Sequence, residues 1–234
     1  MNRFRYRKII PEIIDDFNWS GKELNQNLEE IEWINKNLGG TNTSAYPILH
    51  YIQNNLRQEL KIVDIGCGSG DLLKKIQLAC EGIKKIELIG VDANESIIEF
   101  AQKQHFQNKE ISFVHADVIN NPQLIPAANV YIMNLFLHHF EDTDIKQIMD
   151  NLLHTGPALI VINDLERSQT AYMLYKFLCK IKSVSFVTVN DGKLSILKGF
   201  SKNEMKSIGN IAHGYRYTLK WHWAYRWQLI IRRN

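Results

Sequence analysis

The feature that most constrains the fold of this chain is a glycine-rich turn directly after a short apolar run. Residues 63–70 read Val-Asp-Ile-Gly-Cys-Gly-Ser-Gly. The run Ile62–Ile65 predicts a buried strand, and the helical spacing of Leu72, Leu73 and Ile76 predicts a helix after the turn. Glycine allows a sharp turn and a close ligand, because no Cβ stands in the way. The segment therefore predicts a strand, a ligand-binding turn and a helix.

The spacing of the glycines and the acid before them narrow the kind of ligand. Gly66, Gly68 and Gly70 form G-x-G-x-G, which differs from the G-x-G-x-x-G of dinucleotide-binding turns, and no P-loop Lys-Ser/Thr follows. The negative charge of Asp64 repels a pyrophosphate and attracts an ammonium or a sulfonium. An ordinary strand-to-helix turn is the alternative, but matching segments downstream disfavour it.

Short apolar runs alternate with amphipathic segments as far as about residue 165. This alternation predicts a parallel sheet covered by helices on both faces. Two closing runs, Tyr215–Trp221 and Arg226–Ile231, are joined tightly enough to pair antiparallel. The predicted fold is thus a doubly wound α/β fold with a mostly parallel seven-stranded sheet. The five predicted parallel strands are Ile62–Ile65, Ile86–Val91, Ile111–Val114, Val130–Met133 and Ala158–Ile162.

Polar residues follow these strands, at the edge where such sheets bind ligands. Asp92 ends the second strand, where a carboxylate can accept both hydroxyls of a ribose, although capping the next helix is an alternative role. Asp117 follows the third strand and can accept a hydrogen bond from an adenine amino group, with Ala116 and Val118 lining the ring. Asn134 follows the fourth strand.

Four segments, VDIGCGSGDLL, IGVDANESII, HADV and MNLFLHHFED, together resemble the motif series of class I S-adenosylmethionine-dependent methyltransferases. The resemblance is strongest to the small-molecule branch related to quinone-biosynthesis and polyketide-tailoring methyltransferases. It covers roughly residues 60–165, and PEIIDDF … INKNLGG and NDLERS also resemble that branch. It implies a Rossmann-like class I fold, S-adenosyl-L-methionine as cofactor and S-adenosyl-L-homocysteine as product.

The resemblance also implies a cofactor site. The acid and glycines of the first turn would hold the methionine part, the next two turns the ribose and adenine, and the fourth turn the methionyl end. The side chain of Cys67 in the first turn is expected to pack, since no activating neighbour is evident. The predicted cofactor-binding residues are Asp64, Gly66, Cys67, Gly68, Gly70, Asp92, Ala93, Ala116, Asp117, Val118, Asn134 and Leu135.

The fourth turn also indicates the acceptor. It reads Asn134-Leu135-Phe136-Leu137 where nucleobase and protein N-methyltransferases carry Asn/Asp-Pro-Pro-aromatic. This departure favours methyl transfer to an oxygen or carbon of a small molecule. The apolar run Ala171–Ile181 further suggests that this molecule is hydrophobic or aromatic.

The candidate catalytic residues are His138, His139 and Asp164. One histidine facing the substrate could take the acceptor's proton, which adds ~10²–10⁴-fold when the acceptor is a hydroxyl or an enol-like carbon. Packing, capping and surface exposure are alternative roles, and spacing alone does not choose between the two histidines.

Asn134, Asn163 and Asp164 supply too little carboxylate for a hard cation, so no metal is predicted.

Residues 1–60 are predicted to form a helical cap, with a second helix following Pro47, and residues 61–234 the methyltransferase domain. Within it, residues 166–200 form a predicted substrate lid. The run Ala171–Ile181 in that lid is apolar over most of its circumference, which predicts a helix covered on two sides.

Composition and charge indicate which classes of partner molecule and which cellular compartment are expected. The net charge of +3 is scattered, apart from a short arm at Arg3–Lys8, so no nucleic-acid partner is predicted. No apolar run approaches a membrane span, and three cysteines without metal-like spacing indicate a reducing cytoplasm. A monomer or homodimer is expected. The remaining alternatives are an RNA or protein methyltransferase and a non-catalytic cofactor-binding subunit, whereas the glycine spacing and Asp64 disfavour an NAD-dependent oxidoreductase.

Overall fold

A computed structural model describes residues 3–83, 86–108 and 110–234. Its seven strands form one sheet in the order β3-β2-β1-β4-β5-β7-β6, in which β1 to β5 are parallel and β7 runs antiparallel to β5 and β6. The strands are β1 Leu60–Ile65, β2 Ile86–Asp92, β3 Ile111–His115, β4 Val130–Asn134, β5 Leu159–Leu165, β6 Tyr215–His222 and β7 Arg226–Arg233. The helices are α1 Lys22–Asn37, α2 Gly40–Asn54, α3 Asp71–Ala79, α4 Glu95–Gln104, α5 Asp142–His154, α6 Gln169–Lys182, α7 Phe186–Lys198 and α8 Lys202–Ile211.

The predicted α/β fold with a seven-stranded, mostly parallel sheet is confirmed. The central strands β1, β4 and β5 are buried on both faces, which explains why they read as continuous apolar runs. Ile62, Ile132 and Val161 belong to one core with residues of α2 and α3. Val63 and Ile160 belong to the core on the other face, with residues of α5 and α8. The strand order reverses at β1, and this places a ligand crevice beyond the carboxyl ends of β1 and β4.

The N-terminal segment contains a helix that covers the sheet. The predicted second helix is present, but its start is wrong: α2 begins at Gly40 and contains Pro47 instead of following it. Ala45, Ile48 and Ile52 of α2 are buried in the core with α3 and the sheet. Helix α1 and the residues before it lie beside the crevice, whereas most of α2 does not. The division into a cap of residues 1–60 and a domain of residues 61–234 remains a prediction.

Residues 166–200 form α6, α7 and their connection. The prediction that the run Ala171–Ile181 is covered on two sides is wrong. Met173, Phe177 and Ile181 are all more than half exposed, because α6 packs mainly on α7. The next helix begins as its sequence predicts: Ser201 and Glu204 form a capping box at the start of α8. No helix in the described ranges is long and apolar enough to cross a membrane.

Candidate active site

A cavity of about 1150 Å³ lies at the carboxyl ends of the parallel strands. All predicted cofactor-binding residues line it except Gly70, and both His138 and His139 line it as well. Asp164 does not line the cavity but contacts His138. The N-terminal segment, α1, α6 and α7 contribute much of the remaining wall, together with the start of α5 and the turn between β6 and β7.

The first turn needs glycine for different reasons at different positions. Gly66 and Gly68 both have positive φ, 70° and 53°. A Cβ on Gly66 would lie 2.2 Å from the Phe136 ring, whereas a Cβ on Gly68 would meet no atom within 4 Å. Gly70, with φ 76°, lies against the Phe113 ring and serves the turn and its packing. The open side of Gly68 therefore faces the cavity, and this fits close approach by a ligand.

The wall beside this turn is acidic. Asp64 is 2% exposed, and its Oδ1 has no hydrogen-bond partner among the described residues. Burial raises the pKa of Asp64 well above its usual value, and the charges of Asp71 and Asp92 raise it further. Burial and Glu32 raise the pKa of Asp71 to about 6. A cationic ligand would relieve this repulsion, so the donor set fits the ammonium and sulfonium of S-adenosylmethionine.

The Asp92 carboxylate joins the second strand to the first turn. Its Oδ2 accepts a hydrogen bond from the Gly68 backbone N–H at 3.2 Å, and its Oδ1 accepts one from the Asn94 N–H at 3.1 Å. The side chain that caps α4 is Asn94, which accepts from the Ser96 N–H at 2.8 Å. Asp92 is thus a cavity-lining acid whose position is fixed by backbone donors.

Asp117 is largely occupied by its own turn. Its Oδ1 accepts from the Ile119 N–H at 2.8 Å and its Oδ2 from the Asn120 side chain at 2.6 Å. Ala116 and Val118 on either side are buried and line the cavity. The contact of Asp117 with adenine remains a prediction.

The fourth turn is held by a polar network. The Asn134 Oδ1 accepts from Ser44 Oγ at 2.7 Å and from Asn163 Nδ2 at 2.8 Å. Leu135 has a φ of 55°, in the left-handed region that costs a non-glycine residue about 1–2 kcal/mol. Its N–H donates to the Asn163 carbonyl at 2.7 Å, and this bond holds the turn in place beside β5.

The two histidines lie in different surroundings, and His138 is the one held by Asp164. Its Nδ1 lies 2.7 Å from Asp164 Oδ1, and its backbone N–H donates to Asp164 Oδ2 at 3.1 Å. Burial alone would raise the pKa of Asp164, but the neighbouring His138 outweighs it and lowers this pKa. In the neutral tautomer that donates its Nδ1 proton to Asp164, the lone pair is on Nε2. This atom has no hydrogen-bond partner among the described residues and lies 3.8 Å from Glu12 Oε1.

His139 is held in an ion pair with Asp15. Its Nδ1 lies 2.5 Å from Asp15 Oδ1. Burial acts to lower the pKa of His139, but the charges of Glu12 and Asp15 outweigh it, so this pKa is raised. These two carboxylates therefore stabilise the imidazolium form of His139. The ring centroids of His138 and His139 are 4.2 Å apart, so the two neighbouring rings differ in their charged partners.

Sequence reasoning missed three charged residues of this cluster, Glu12, Asp15 and Lys198. The Lys198 ammonium lies 3.0 Å from Glu12 Oε1 and 3.2 Å from Asp15 Oδ2. The sequence signal that could have identified Glu12 and Asp15 is the PEIIDDF segment, which resembles the small-molecule methyltransferase branch. From sequence alone, this segment is assigned only to the N-terminal cap, with no role in the active site. Arg167, next to this cluster, forms two hydrogen bonds with Glu204 at 2.9 and 3.0 Å and donates to the Gly199 carbonyl at 2.5 Å.

Glu12, His138 and His139 each offer one ligand atom within 4.8 Å of the others, a spacing that a metal ion could use. The Lys198 ammonium is already paired with Glu12 Oε1, at 3.0 Å. A second cation there would be repelled by it. The absence of a metal remains a prediction.

Comparison with protein families identifies the central part of the chain. A family model described as a methyltransferase domain matches residues 62–155, which include the first four strands and all four turns. Residues 62–155 are therefore a methyltransferase domain. The acidic, glycine-lined wall described above fits S-adenosylmethionine as the cofactor of this domain. A comparison with curated protein sequences finds no match.

Three solved structures share the fold of this methyltransferase. The plantazolicin methyltransferase BpumL in complex with SAH is 17% identical, with a TM-score of 0.65, over 91% of this chain and 96% of that one. A SAM-dependent methyltransferase from Aquifex aeolicus is 12% identical, with a TM-score of 0.62, over 88% and 97%. The magnesium protoporphyrin IX methyltransferase ChlM from Synechocystis PCC 6803, with bound SAH, is 15% identical, with a TM-score of 0.58, over 86% and 87%.

Proposed function

We propose that this methyltransferase transfers a methyl group to an oxygen or carbon of a small, hydrophobic or aromatic acceptor, with His138 as the proton acceptor. The observation that carries the proposal is the buried contact of 2.7 Å between His138 Nδ1 and Asp164. It leaves Nε2 as the basic atom, on a residue that lines the cavity.

The cofactor would lie along the acidic half of the cavity. Asp64 and Asp71 would hold its ammonium, Asp92 its ribose hydroxyls, and Ala116 and Val118 the faces of its adenine. When bound, the cofactor supplies a methyl group activated by the sulfonium. The chain's main task is then to align the acceptor with that methyl carbon, because an in-line displacement depends on this geometry.

His138 would take the proton that the acceptor loses. The acceptor oxygen or carbon would form its bond to the methyl carbon as the methyl–sulfur bond breaks and S-adenosylhomocysteine is left. The acceptor's proton would pass to His138 Nε2. Asp164 keeps the ring oriented and stabilises the imidazolium that forms. The charge of Asp164 is available for this because its pKa is held low.

The character of the cavity supports a small apolar acceptor. Its volume of about 1150 Å³ exceeds the ~300–1,000 Å³ of typical ligand sites, so it can hold a cofactor and an acceptor together. Phe136, Leu174 and Leu178 line it with apolar surface. Two of the similar structures are named for methylation of plantazolicin and of magnesium protoporphyrin IX, which are acceptors other than nucleic acid. An open cavity also argues against a non-catalytic subunit whose own aromatic residues fill the site.

Cellular location and partners complete the proposal. Cys67, Cys80 and Cys179 are free and buried, which suits a reducing cytoplasm. Burial raises the pKa of Cys67 well above its usual value, and Asp92 and Asp64 raise it further, so this thiol is a packing group. A monomer or homodimer, with no nucleic-acid partner, is proposed.

The test uses three matched acceptors: naphthol, naphthylamine and naphthalenethiol, each with labelled S-adenosylmethionine. We expect label in the naphthol ether or on a ring carbon, at a rate that depends on His138. Transfer to naphthylamine alone would contradict the proposed acceptor atom, and absence of transfer to all three would contradict the proposed acceptor class. Calorimetric titration with S-adenosylhomocysteine measures cofactor binding separately.

A further inference from the structure

Helix α6 carries an apolar face on its exposed side. Met173, Phe177 and Ile181 are spaced four residues apart, which places them on one face of the helix. They are 55%, 65% and 67% exposed, whereas Ala171 and Cys179 on the other side of α6 are buried. Large apolar side chains that lie side by side in water indicate a surface that binds another molecule.

This face continues into the mouth of the cavity. Leu174, which follows Met173 on the same helix, is exposed and also lines the cavity. The N-terminal segment lies against α6, with the ring centroids of Phe4 and Tyr172 5.8 Å apart. The apolar residues of that segment are exposed and line the cavity as well. This continuous surface, the apolar rim, consists of Tyr6, Ile9, Ile10, Met173, Leu174, Phe177 and Ile181.

The two segments that form the apolar rim carry positive charge only. Residues 3–11 and 168–190 together contain seven Lys and Arg residues and no Asp or Glu. One of the seven, Arg7, is paired with Asp142. The other six are exposed and form no ion pair with any residue that the structure describes: Arg3, Arg5, Lys8, Lys176, Lys180 and Lys182. Folding therefore brings apolar and basic groups together on one side of the mouth.

The charge around the mouth is uneven. At the start of α5, the acids Glu141, Asp142 and Asp144 also line the cavity. A negatively charged partner is therefore attracted to the α6 side of the mouth and repelled from the α5 side. This difference orients the protein on such a partner.

The combination of apolar and basic groups distinguishes between kinds of partner. In a dimer with two-fold symmetry, the rim would meet its own copy and place basic residues against basic residues. A nucleic acid would pair with the lysines and arginines through its phosphates, but it would leave Met173 and Ile181 without apolar contacts. The surface of an anionic bilayer offers both kinds of contact, because its acyl boundary takes apolar side chains and its headgroups attract Lys and Arg.

We propose that the apolar rim and the six exposed basic residues bind the surface of an anionic lipid bilayer, with the mouth of the cavity towards the lipid. Helix α6 lies in the plane of the interface, with its apolar face in the acyl boundary and Lys176 and Lys180 at the headgroups. An apolar acceptor then passes from the bilayer into the cavity without crossing water. This last step rests on the proposed function, whereas binding to the bilayer does not.

The experiment measures sedimentation of the protein with vesicles of phosphatidylcholine alone, or of equal parts of phosphatidylcholine and phosphatidylglycerol. We expect at least about tenfold stronger binding to the mixed vesicles, because each basic residue near an anionic surface contributes to binding. High salt should reduce this preference, since the Debye length falls to ~3 Å at 1 M ionic strength.

Variants with matched controls identify the surface. Phe177→Ser removes an apolar side chain of the rim and should weaken binding to mixed vesicles by at least about tenfold. Leu78→Ser, at an exposed apolar residue of α3, should leave binding unchanged. The double variant Lys176→Gln and Lys180→Gln should lower the preference for mixed vesicles about tenfold. The same changes at Lys202 and Lys206, which are exposed on α8, should keep the preference.

Activity separates membrane binding from the reaction itself. Phe177, Lys176 and Lys180 lie outside the cavity lining, so both rim variants should methylate soluble naphthol at the unmodified rate. A naphthol with a dodecyl chain, presented in mixed vesicles, should be methylated more slowly by Phe177→Ser than by the unmodified protein. An equal rate would contradict entry of the acceptor from the bilayer. Failure to methylate either naphthol would contradict the proposed function and leave sedimentation as the test of membrane binding.

Three further results would overturn the inference. One is equal or absent sedimentation of the unmodified protein with the two kinds of vesicle. Another is binding that stays unchanged in both Phe177→Ser and the double lysine variant. A third is self-association in analytical ultracentrifugation, or binding of an oligonucleotide, that these variants abolish while vesicles are not bound; it would assign the rim to a second copy or to nucleic acid.

Discussion

The two halves of the cavity are built in different ways. In the half beside β1 and β2, the contacts join the ends of neighbouring strands, as in the hydrogen bonds from Gly66 to Val91 and from Gly68 to Asp92. In the half beside β4, β5 and β7, they join distant parts of the chain. Asp15 contacts His139 across 124 residues and Lys198 across 183. The first half is formed by turns that follow neighbouring strands of the sheet. The second half is formed by the packing of segments that are far apart in the sequence.

The two halves also differ in charge balance. Asp64, Asp71 and Asp92 have raised pKa values, and burial is the largest cause for each. In the other half, Asp15 and Asp164 have lowered pKa values, because histidine outweighs the effect of burial. The half beside β1 and β2 is unbalanced, because its buried acids form no ion pair among the described residues, and it is suited to bind a cation. The half beside β4, β5 and β7 is balanced, because its acids are paired with histidines, and it is suited to hold and move a proton.

The largest expected effect concerns the balanced half. His138→Gln should lower kcat by ~10²–10⁴-fold, because the acceptor loses its proton acceptor. The affinity for S-adenosylhomocysteine should stay the same, since the acidic half is untouched. Steady-state kinetics with labelled cofactor, and calorimetry, measure the two effects.

His139→Gln is the matched comparison for that variant. Its imidazole is paired with Asp15, so we expect a smaller fall in kcat than for His138→Gln. An equal fall in both variants would show that the two histidines act as one unit, and full activity of His138→Gln would remove the proposed base.

The next effect concerns the unbalanced half. Asp64→Asn removes the buried charge that would face the ammonium, and it should weaken S-adenosylhomocysteine binding by about 10–100-fold, as for a charged hydrogen bond of ~1.5–3 kcal/mol. Asp150→Asn, a change to an exposed acid paired with Lys146, should have no effect on binding. Unchanged affinity in Asp64→Asn would mean that this acid is only structural.

The charge imbalance also predicts a dependence on pH. The folded-state pKa of Asp71 is raised to about 6 from an ordinary value of 3.8, so between these values the folded protein holds a proton that the unfolded chain has released. The unliganded protein should therefore lose stability as pH rises through this window. Asp71→Asn should flatten the profile of melting temperature against pH between about 4 and 7. A profile of unchanged slope would mean that Asp71 titrates normally.

The smallest effect concerns the N-terminal segment that closes the acceptor half. Arg7 donates to the carbonyls of Lys198 and Phe140 at 3.0 and 2.7 Å and pairs with Asp142 at 2.7 Å. Arg7→Ala should raise the acceptor KM a few-fold and expose the segment to trypsin, with no change in cofactor affinity. Arg5→Ala, at an exposed position, is the control. An unchanged KM would separate this segment from acceptor binding.

The sequence predicted most of the sheet and the first half of the cavity, because both depend on local patterns. Apolar runs located the strands, and the glycines and the acid of the first turn stand next to one another in the sequence at residues 63–70. The capping box at Ser201 and Glu204 was likewise readable, since its partners are three residues apart. The α6 prediction failed for the opposite reason: an apolar helix face does not reveal whether anything covers it.

The sequence by itself determined that the chain forms a seven-stranded α/β sheet with an acidic, glycine-lined turn at the carboxyl end of β1. Only the tertiary structure decided which histidine is held by Asp164 and which pairs with Asp15, and that Lys198 and Arg226 reach the same cavity. The physical reason is that strand and turn signals act over a few residues, whereas the charge on a buried group depends on partners that folding brings from 124 or 183 positions away.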